Sequence, residues 1–155
     1  FERDVLMPLV GQGRVNAYEF KGYSARIMGL RSYFEENMKL LEDDNLDRLF
    51  DGKQIYTKIR DDNPTRYVGD AKAENVLVAD GGLIEGTVEN SILFRGVKVG
   101  KGAVVRNCIL MQDTVVGEGA VLDHVITDKK VKISAGVSMK GESSYPVYIS
   151  KGKTV

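Results

Sequence analysis

Histidine and cysteine are almost missing from this chain of 155 residues, which has one of each, His124 and Cys108. A single cysteine excludes an intramolecular disulfide framework and a multi-cysteine metal site, and it fits a reducing cytoplasm. With only one histidine beside it, a zinc site has too few ligands. Charge of one sign is also lacking. Lys+Arg and Asp+Glu each number 22, so no broad basic face points to nucleic acid or an anionic membrane, and any anion site must be local. No segment approaches 18 consecutive apolar residues, and the opening FERDVLMPLV lacks the basic-then-apolar order of a signal peptide. The expectation is a cytoplasmic protein without a membrane or nucleic-acid partner. Because the sequence opens on Phe1 rather than Met, it is expected to be a piece of a longer polypeptide. A hydrophobic fraction of 43% is ample for a core.

What is present falls into two halves with different periodicity. In the first, VNAYEF (15–20) alternates like a short strand and Gly22 breaks it. Residues 32–41 place Tyr33, Phe34, Asn37, Met38 and Leu41 at helical spacing, and Ser32 with Glu35 has the form of a capping box. EDDNLDRLFD (42–51) reads as the helix end plus a solvated acidic connection, IYTKIR (55–60) as a strand, and DDNPTRY (61–67) as a turn or linker in which Pro64 holds Asn63 out of helix. A domain boundary is expected there, giving one unit over 1–62 and another over 63–155.

The second half repeats itself. VENSILFRGVKVGKGAV (88–104), VRNCILMQDTVVGEGAV (105–121) and LDHVITDKKVKISAGVS (122–138) are consecutive blocks of 17 residues, preceded by a shorter block of 15, AENVLVADGGLIEGT (73–87). Val88, Val105 and Leu122 share one column, Ile92, Ile109 and Ile126 a second, and Val99, Val116 and Ile133 a third. Within each block an aliphatic residue, a glycine and a small residue recur at hexapeptide spacing. This predicts three short parallel strands per coil, with the aliphatic columns stacked inside and small residues at the corners. Each coil buries its aliphatics only against the next, so the ends need covers, and SSYPVYISKG (143–152) is expected to fold back as one. The fold class is mainly β, a parallel β-helix of hexapeptide repeats.

FERDVL, VNAYEFKGY and SYFEENMKLL, followed by VENSIL, VGKGAVV, CILM, VGEGA and ITDKKVKI, resemble the end of the nucleotidyltransferase domain and the C-terminal β-helix of the bacterial ADP-glucose pyrophosphorylase (glucose-1-phosphate adenylyltransferase) family. The resemblance covers nearly the whole chain. It implies a left-handed β-helix over 63–155, preceded over 1–62 by the α/β tail of a nucleotidyltransferase domain. It also implies a tetrameric assembly that joins glucose 1-phosphate to ATP, giving ADP-glucose for glycogen biosynthesis and releasing pyrophosphate. Most of that family's nucleotide and substrate residues lie upstream of anything here, so the chain by itself is expected to be inactive and to hold no catalytic residue and no cofactor.

The stretch GYSARIMG (22–29) departs from the family pattern. Catalytic members carry, after Gly-Tyr, a Trp, a variable residue, an Asp that helps hold Mg²⁺, an aliphatic residue, Gly and Thr. Here Ser24 stands at the Trp, Arg26 at the Asp, Met28 at the Gly and Gly29 at the Thr. An arginine offers only donors and cannot coordinate a cation. Arg26 therefore marks a degenerate metal position, and the resemblance narrows to the GlgD-type, regulatory and catalytically weak subunit. Such a subunit is expected to assemble with a catalytic one, in a heterotetramer, and to associate through its β-helix.

The resemblance also implies a site for a phosphorylated metabolite effector. ITDKKV (126–131) matches the family's aliphatic-x-Asp-Lys motif, so Lys129 is the candidate anion-binding residue. The repeat adds Arg95, which shares a column with Gln112 and Lys129. At the inter-strand spacing of about 4.8 Å, Arg95 and Lys129 would lie about 10 Å apart, suited to the two phosphates of a bisphosphate. Two alternatives stay open: a catalytic adenylyltransferase subunit with a diverged metal motif, and a hexapeptide acyltransferase with His124 as general base. His124 falls in the column of Asn90 and Asn107, a polar corner position, and Cys108 in that of Ser91 and Val125, a small buried or turn position.

Overall fold

The structure, a computed structural model, describes residues 1–10, 12–13, 15–50, 55–56 and 59–155. Its second half is a stack of coils. The strands are β1 (Arg66–Tyr67), β2 (Lys72–Val78), β3 (Leu83–Ile84), β4 (Thr87–Leu93), β5 (Lys98–Val99), β6 (Val104–Arg106), β7 (Ile109–Leu110), β8 (Val115–Val116), β9 (Val121–Asp123), β10 (Val125–Thr127), β11 (Lys132–Ile133), β12 (Ser138–Lys140) and β13 (Val147–Ile149). Every ladder between these strands is parallel. One face of the solenoid runs β1-β3-β5-β8-β11. The other two are joined by long strands that bend: the first half of β4 pairs with β6 and its second half with β7.

The three columns read from the sequence are the ladder itself. Val88 pairs with Val105 and Val105 with Leu122, Ile92 with Ile109 and Ile109 with Ile126, Val99 with Val116 and Val116 with Ile133. Two columns fill the interior as expected, in one cluster with Ile84, Leu93, Val97, Cys108, Leu110, Val125 and Val131. The isoleucine column does not. Ile109 and Ile126 belong to a separate cluster with Phe34, flanked by Tyr33, Met38 and Phe94. Side chains alternate across a strand, so with Leu110 and Val125 facing in, Ile109 and Ile126 face out. They are nonetheless fully buried, because a helix lies on them.

That helix is α2 (Leu30–Met38), which follows the four-residue α1 (Met7–Val10) and continues as a tighter turn over Lys39–Leu41. It forms where the sequence predicts one, but its start differs. Gly29 is the N-cap, and Ser32 sits one turn inside. The Ser32 hydroxyl accepts from the backbone N–H of Met28 and of Gly29, at 2.8 and 3.0 Å, and donates to the Gly29 carbonyl. Glu35 pairs with Arg31 at 2.7 Å instead of closing a capping box. The apolar spacing read from the sequence is what docks the helix: Phe34 is 4% exposed, with its ring against the isoleucine column.

Four further expectations are corrected. Residues 15–20 form no strand: Val15, Tyr18 and Phe20 are exposed, and no described strand pairs with them, without which alternation alone cannot hold a ladder. The acidic segment is a helix of its own, α3 (Asp43–Phe50), with Asp43 and Asp44 in its first turn and Arg48 in its last, each complementing the helix dipole. Its acids are solvated as expected, while Asp51 lies outside the described residues. The strand expected over 55–60 includes Thr57 and Lys58, also outside the described residues, and Ile55, Tyr56, Ile59 and Arg60 have no regular structure. Finally, 143–152 does not fold back over the end. It supplies β13, which pairs in parallel with β10 (Ile126 to Tyr148) and extends the stack by one coil that is five residues longer than the repeat.

The corners explain the glycine and asparagine spacing. Asn75, Asn90, Asn107 and His124 form one corner column, with φ between 44° and 53°. Asparagine is among the non-glycine residues that best tolerate this left-handed region. The first 15-residue coil is short because Glu85 and Gly86 replace the longer corner at Gly100–Ala103, and a side chain at Gly86 would run into the Ala103 carbonyl.

Two substitutions separate the stack from the docked helix. Leu122→Ala, at a site with no exposure, is expected to lower the unfolding free energy of the whole β-helix by about 2–5 kcal/mol in urea titrations. Phe34→Ala is expected to speed amide exchange in α2 while leaving the β-helix midpoint within error of the parent.

Candidate functional site

The Lys129 side chain is exposed at a corner between two faces of the solenoid, after β10. Its backbone is tied from three sides. The Asp128 carboxylate accepts from the Lys129 N–H at 2.6 Å, the Lys129 carbonyl accepts from the Gly152 N–H at 3.0 Å, and the next residue, Lys130, donates to the Gln112 carbonyl at 2.8 Å. Lys130 has a φ of 61°, as the corner requires, in the column of Gly96 and Asp113. Beneath the corner lies a buried pair of hydroxyls, Thr114 and Thr127, 3.0 Å apart. Thr114 also donates to the Asp128 carbonyl at 3.3 Å. Buried hydroxyls of this kind cost stability unless paired, and here the pairing fixes the corner's shape.

The column that joins Arg95 to Lys129 is present in the backbone. The Asp113 N–H bonds the Arg95 carbonyl at 3.0 Å, so Arg95, Gln112 and Lys129 follow one another in successive coils. Lys151 continues the column through the Gly152 bond to Lys129. The 17-residue spacing could not reveal it, because the last coil is longer. The signal in the sequence was the KGK (151–153) that follows the alternating VYIS (147–150). Lys129 and Lys151 form no ion pair with the described residues, whereas Arg95 is half-buried and engaged.

Arg26 lies apart from this corner. It is exposed in the 22–29 loop and makes no hydrogen bond or ion pair with the described residues. The loop is anchored on either side, by Tyr23 donating to Glu36 at 3.2 Å and by the Ser32 bonds at the start of α2. The residues present do not fit a divalent cation. The loop carries no carboxylate, and among the described residues no three His, Cys, Asp or Glu side chains converge.

His124 and Cys108 take structural positions. His124 is a half-buried corner residue with a φ of 53°, its ring centroid 5.7 Å from that of Phe34 and its Nδ1 2.7 Å from Asp123. Burial alone would raise the Asp123 carboxyl, but the Asn107 amide bonded to it at 3.0 Å and the neighbouring His124 outweigh this and hold it below the usual range. A ring held by Phe34 and Asp123 is placed to seal α2 against the corner. Cys108 is fully buried, and burial pushes its thiol up to about 12.

The family follows from the repeats. The GlmU-like, C-terminal hexapeptide family matches residues 58–144. The chain belongs to this family. Among curated proteins it is 48% identical over 136 residues to the glycogen biosynthesis protein GlgD of Bacillus subtilis, a match covering 87% of the chain and 40% of that relative. It is 40% identical over 108 residues to a glucose-1-phosphate adenylyltransferase of Geobacillus stearothermophilus, covering 68% and 28%. A third relative, the glucose-1-phosphate adenylyltransferase of Bacillus mycoides, is 32% identical over 99% of the chain and 42% of its own length. The chain thus spans less than half the length of these relatives. The resemblance to the ADP-glucose pyrophosphorylase family, and to its GlgD-type members, is borne out. Among the described residues no helix is long and apolar enough to cross a membrane.

A thiol so buried is expected to resist a maleimide at pH 7.5 in the folded chain and to react once urea unfolds it. Rapid labelling of native Cys108, followed by mass spectrometry, would contradict this placement.

Proposed function

We propose that this chain is the regulatory and oligomerisation part of a GlgD-type subunit of ADP-glucose pyrophosphorylase, acting in the cytoplasm in glycogen biosynthesis. The observation that carries the reading is Arg26: an exposed cation stands where catalytic members place the carboxylate for Mg²⁺. A guanidinium can pair with a phosphate but cannot act as the cation's ligand, so the phosphoryl chemistry belongs to a partner subunit. The greater identity to GlgD than to the adenylyltransferases supports the same reading. A catalytic subunit with a diverged motif is the second reading, favoured by the adenylyltransferase relative matched over 99% of the chain.

The regulatory part of the proposal rests on the Lys129 corner. Lys129, with Lys151 one coil away and Arg95 two coils away, supplies cations on one edge of a chain with no net charge. Such an edge suits a phosphorylated metabolite, because fixed ammonium and guanidinium groups bind phosphate oxygens by charge-assisted hydrogen bonds. The solenoid faces beside it are regular and suited to contacts with a catalytic subunit and with a second copy.

With the whole subunit assembled on its catalytic partner, Lys129→Ala is expected to raise the half-saturating concentration of a sugar bisphosphate activator about tenfold. The unactivated rate should hold. An unchanged half-saturation would remove Lys129 from the effector site.

A further inference from the structure

Asp128 stands between the corner and α2. One carboxylate oxygen holds the Lys129 N–H at 2.6 Å, and the other accepts a long 3.4 Å hydrogen bond from the Tyr148 hydroxyl. Tyr148 and Tyr33 line an apolar groove of about 300 Å³ with Met111 and Ile126, and the groove's remaining wall is Ile27, Gly29 and Leu30. Ile27 adjoins Arg26 in the chain, and the Ser32 hydroxyl ties Met28 and Gly29 to the helix that carries Tyr33. Burial first, and then the Asp128 charge, hold the Tyr33 proton above the usual tyrosine range.

We propose that Asp128 is a positioning residue that transmits occupancy of the Lys129 corner to the 22–29 loop, through Tyr148 and Tyr33 and the groove in which Ile27 sits. This rests on the reading of Lys129 as an anion site. A phosphate drawn to Lys129 places negative charge beside the Asp128 carboxylate. That carboxylate then gains from the side-chain donor it already meets, the Tyr148 hydroxyl, while its charge acts through space on Tyr33 across the groove. The 3.4 Å bond from Tyr148 has room to shorten, and shortening it moves one wall of the groove against the other. Tyr33 carries this to α2, which is fixed to the solenoid by Phe34 and to the loop by Ser32. The loop with Arg26 is thereby held differently with and without an anion, although no anion touches it.

The experiment is amide hydrogen exchange across residues 22–38 of this chain, with and without inorganic pyrophosphate, a probe carrying two phosphates and no sugar. Affinity is measured in parallel by calorimetry. Saturating pyrophosphate should slow exchange in this segment at least threefold. In Tyr33→Phe/Tyr148→Phe the slowing should vanish while the affinity stays within about twofold. Without any ligand, Asp128→Asn should already speed exchange at 30–37 relative to the parent. Binding that leaves 22–38 unchanged, or a slowing that survives in the double variant, overturns the transmission route alone. Binding indifferent to Lys129→Ala, or no binding at all, overturns the anion-site reading and this inference with it.

Discussion

Everything in this structure depends on the stacking register of the coils. A coil of 17 residues has no core of its own; it buries Val105 only because Val88 lies on one side and Leu122 on the other. Because strand side chains alternate, a slip of one residue would turn the whole interior column outward, so the register is fixed by the apolar pattern. The outward column on the same face reinforces it. Glu89, Arg106, Asp123 and Lys140 follow one another with alternating sign, and Arg106 reaches Glu89 at 2.7 Å. Such exposed pairs contribute little each, about 0–1 kcal/mol, but they oppose mispaired coils that would bring like charges together.

Much of this was legible in the sequence, since the constraint acts on residues at fixed spacing. The three columns and the corner role of His124 follow from the 17-residue period, which also placed Cys108 at a small buried or turn position, of which the structure shows the buried one. What the period could not show is which side of the sheet an aliphatic column faces. Ile92, Ile109 and Ile126 have the chemistry of interior residues, and only the helix over them reveals an outer surface that is covered. Nor could it reveal a coil of different length, so Tyr148 and Lys151 joined their columns only in three dimensions. In the first half the same reasoning misled: alternation at 15–20 has no described strand beside it, and an acidic run with Leu46, Leu49 and Phe50 at helical spacing became α3. The loop around Arg26 was different again. Its composition was plain, but its meaning came from a comparison of motifs, because no local rule assigns an exposed arginine a task.

The outward isoleucine column is also what joins the two halves of the chain. An apolar stripe on the outside of a solenoid is unstable in water unless something covers it, and α2 covers it with Phe34, Tyr33 and Met38. His124 shows how the corner adapted to this cover. Where the earlier coils carry asparagine, which tolerates the left-handed backbone and bonds its neighbour, as Asn75 does with Asn90, the coil under α2 carries a ring that packs at a tilt against Phe34. The departure from asparagine is therefore explained by packing, with no need for a proton-transfer role.

A chain with balanced charge can still offer an anion site, provided some of its cations stand outside ion pairs, as Lys129 and Lys151 do among the described residues. The corner achieves this by geometry. The carboxylate of the neighbouring Asp128 is occupied by the Lys129 backbone N–H and the Tyr148 hydroxyl, and Lys129 itself is left exposed. The hydroxyls of Thr114 and Thr127 hold the backbone of this turn from within, so the lysine sits on a stiff support, not on a mobile loop. Stiffness matters because a phosphate gains most from cations that need not be ordered on binding. The same rigidity makes the turn a poor absorber of change. A new charge at the corner therefore acts first on the softest contact nearby, the long bond from Tyr148, and through it on the helix and loop that rest against the solenoid.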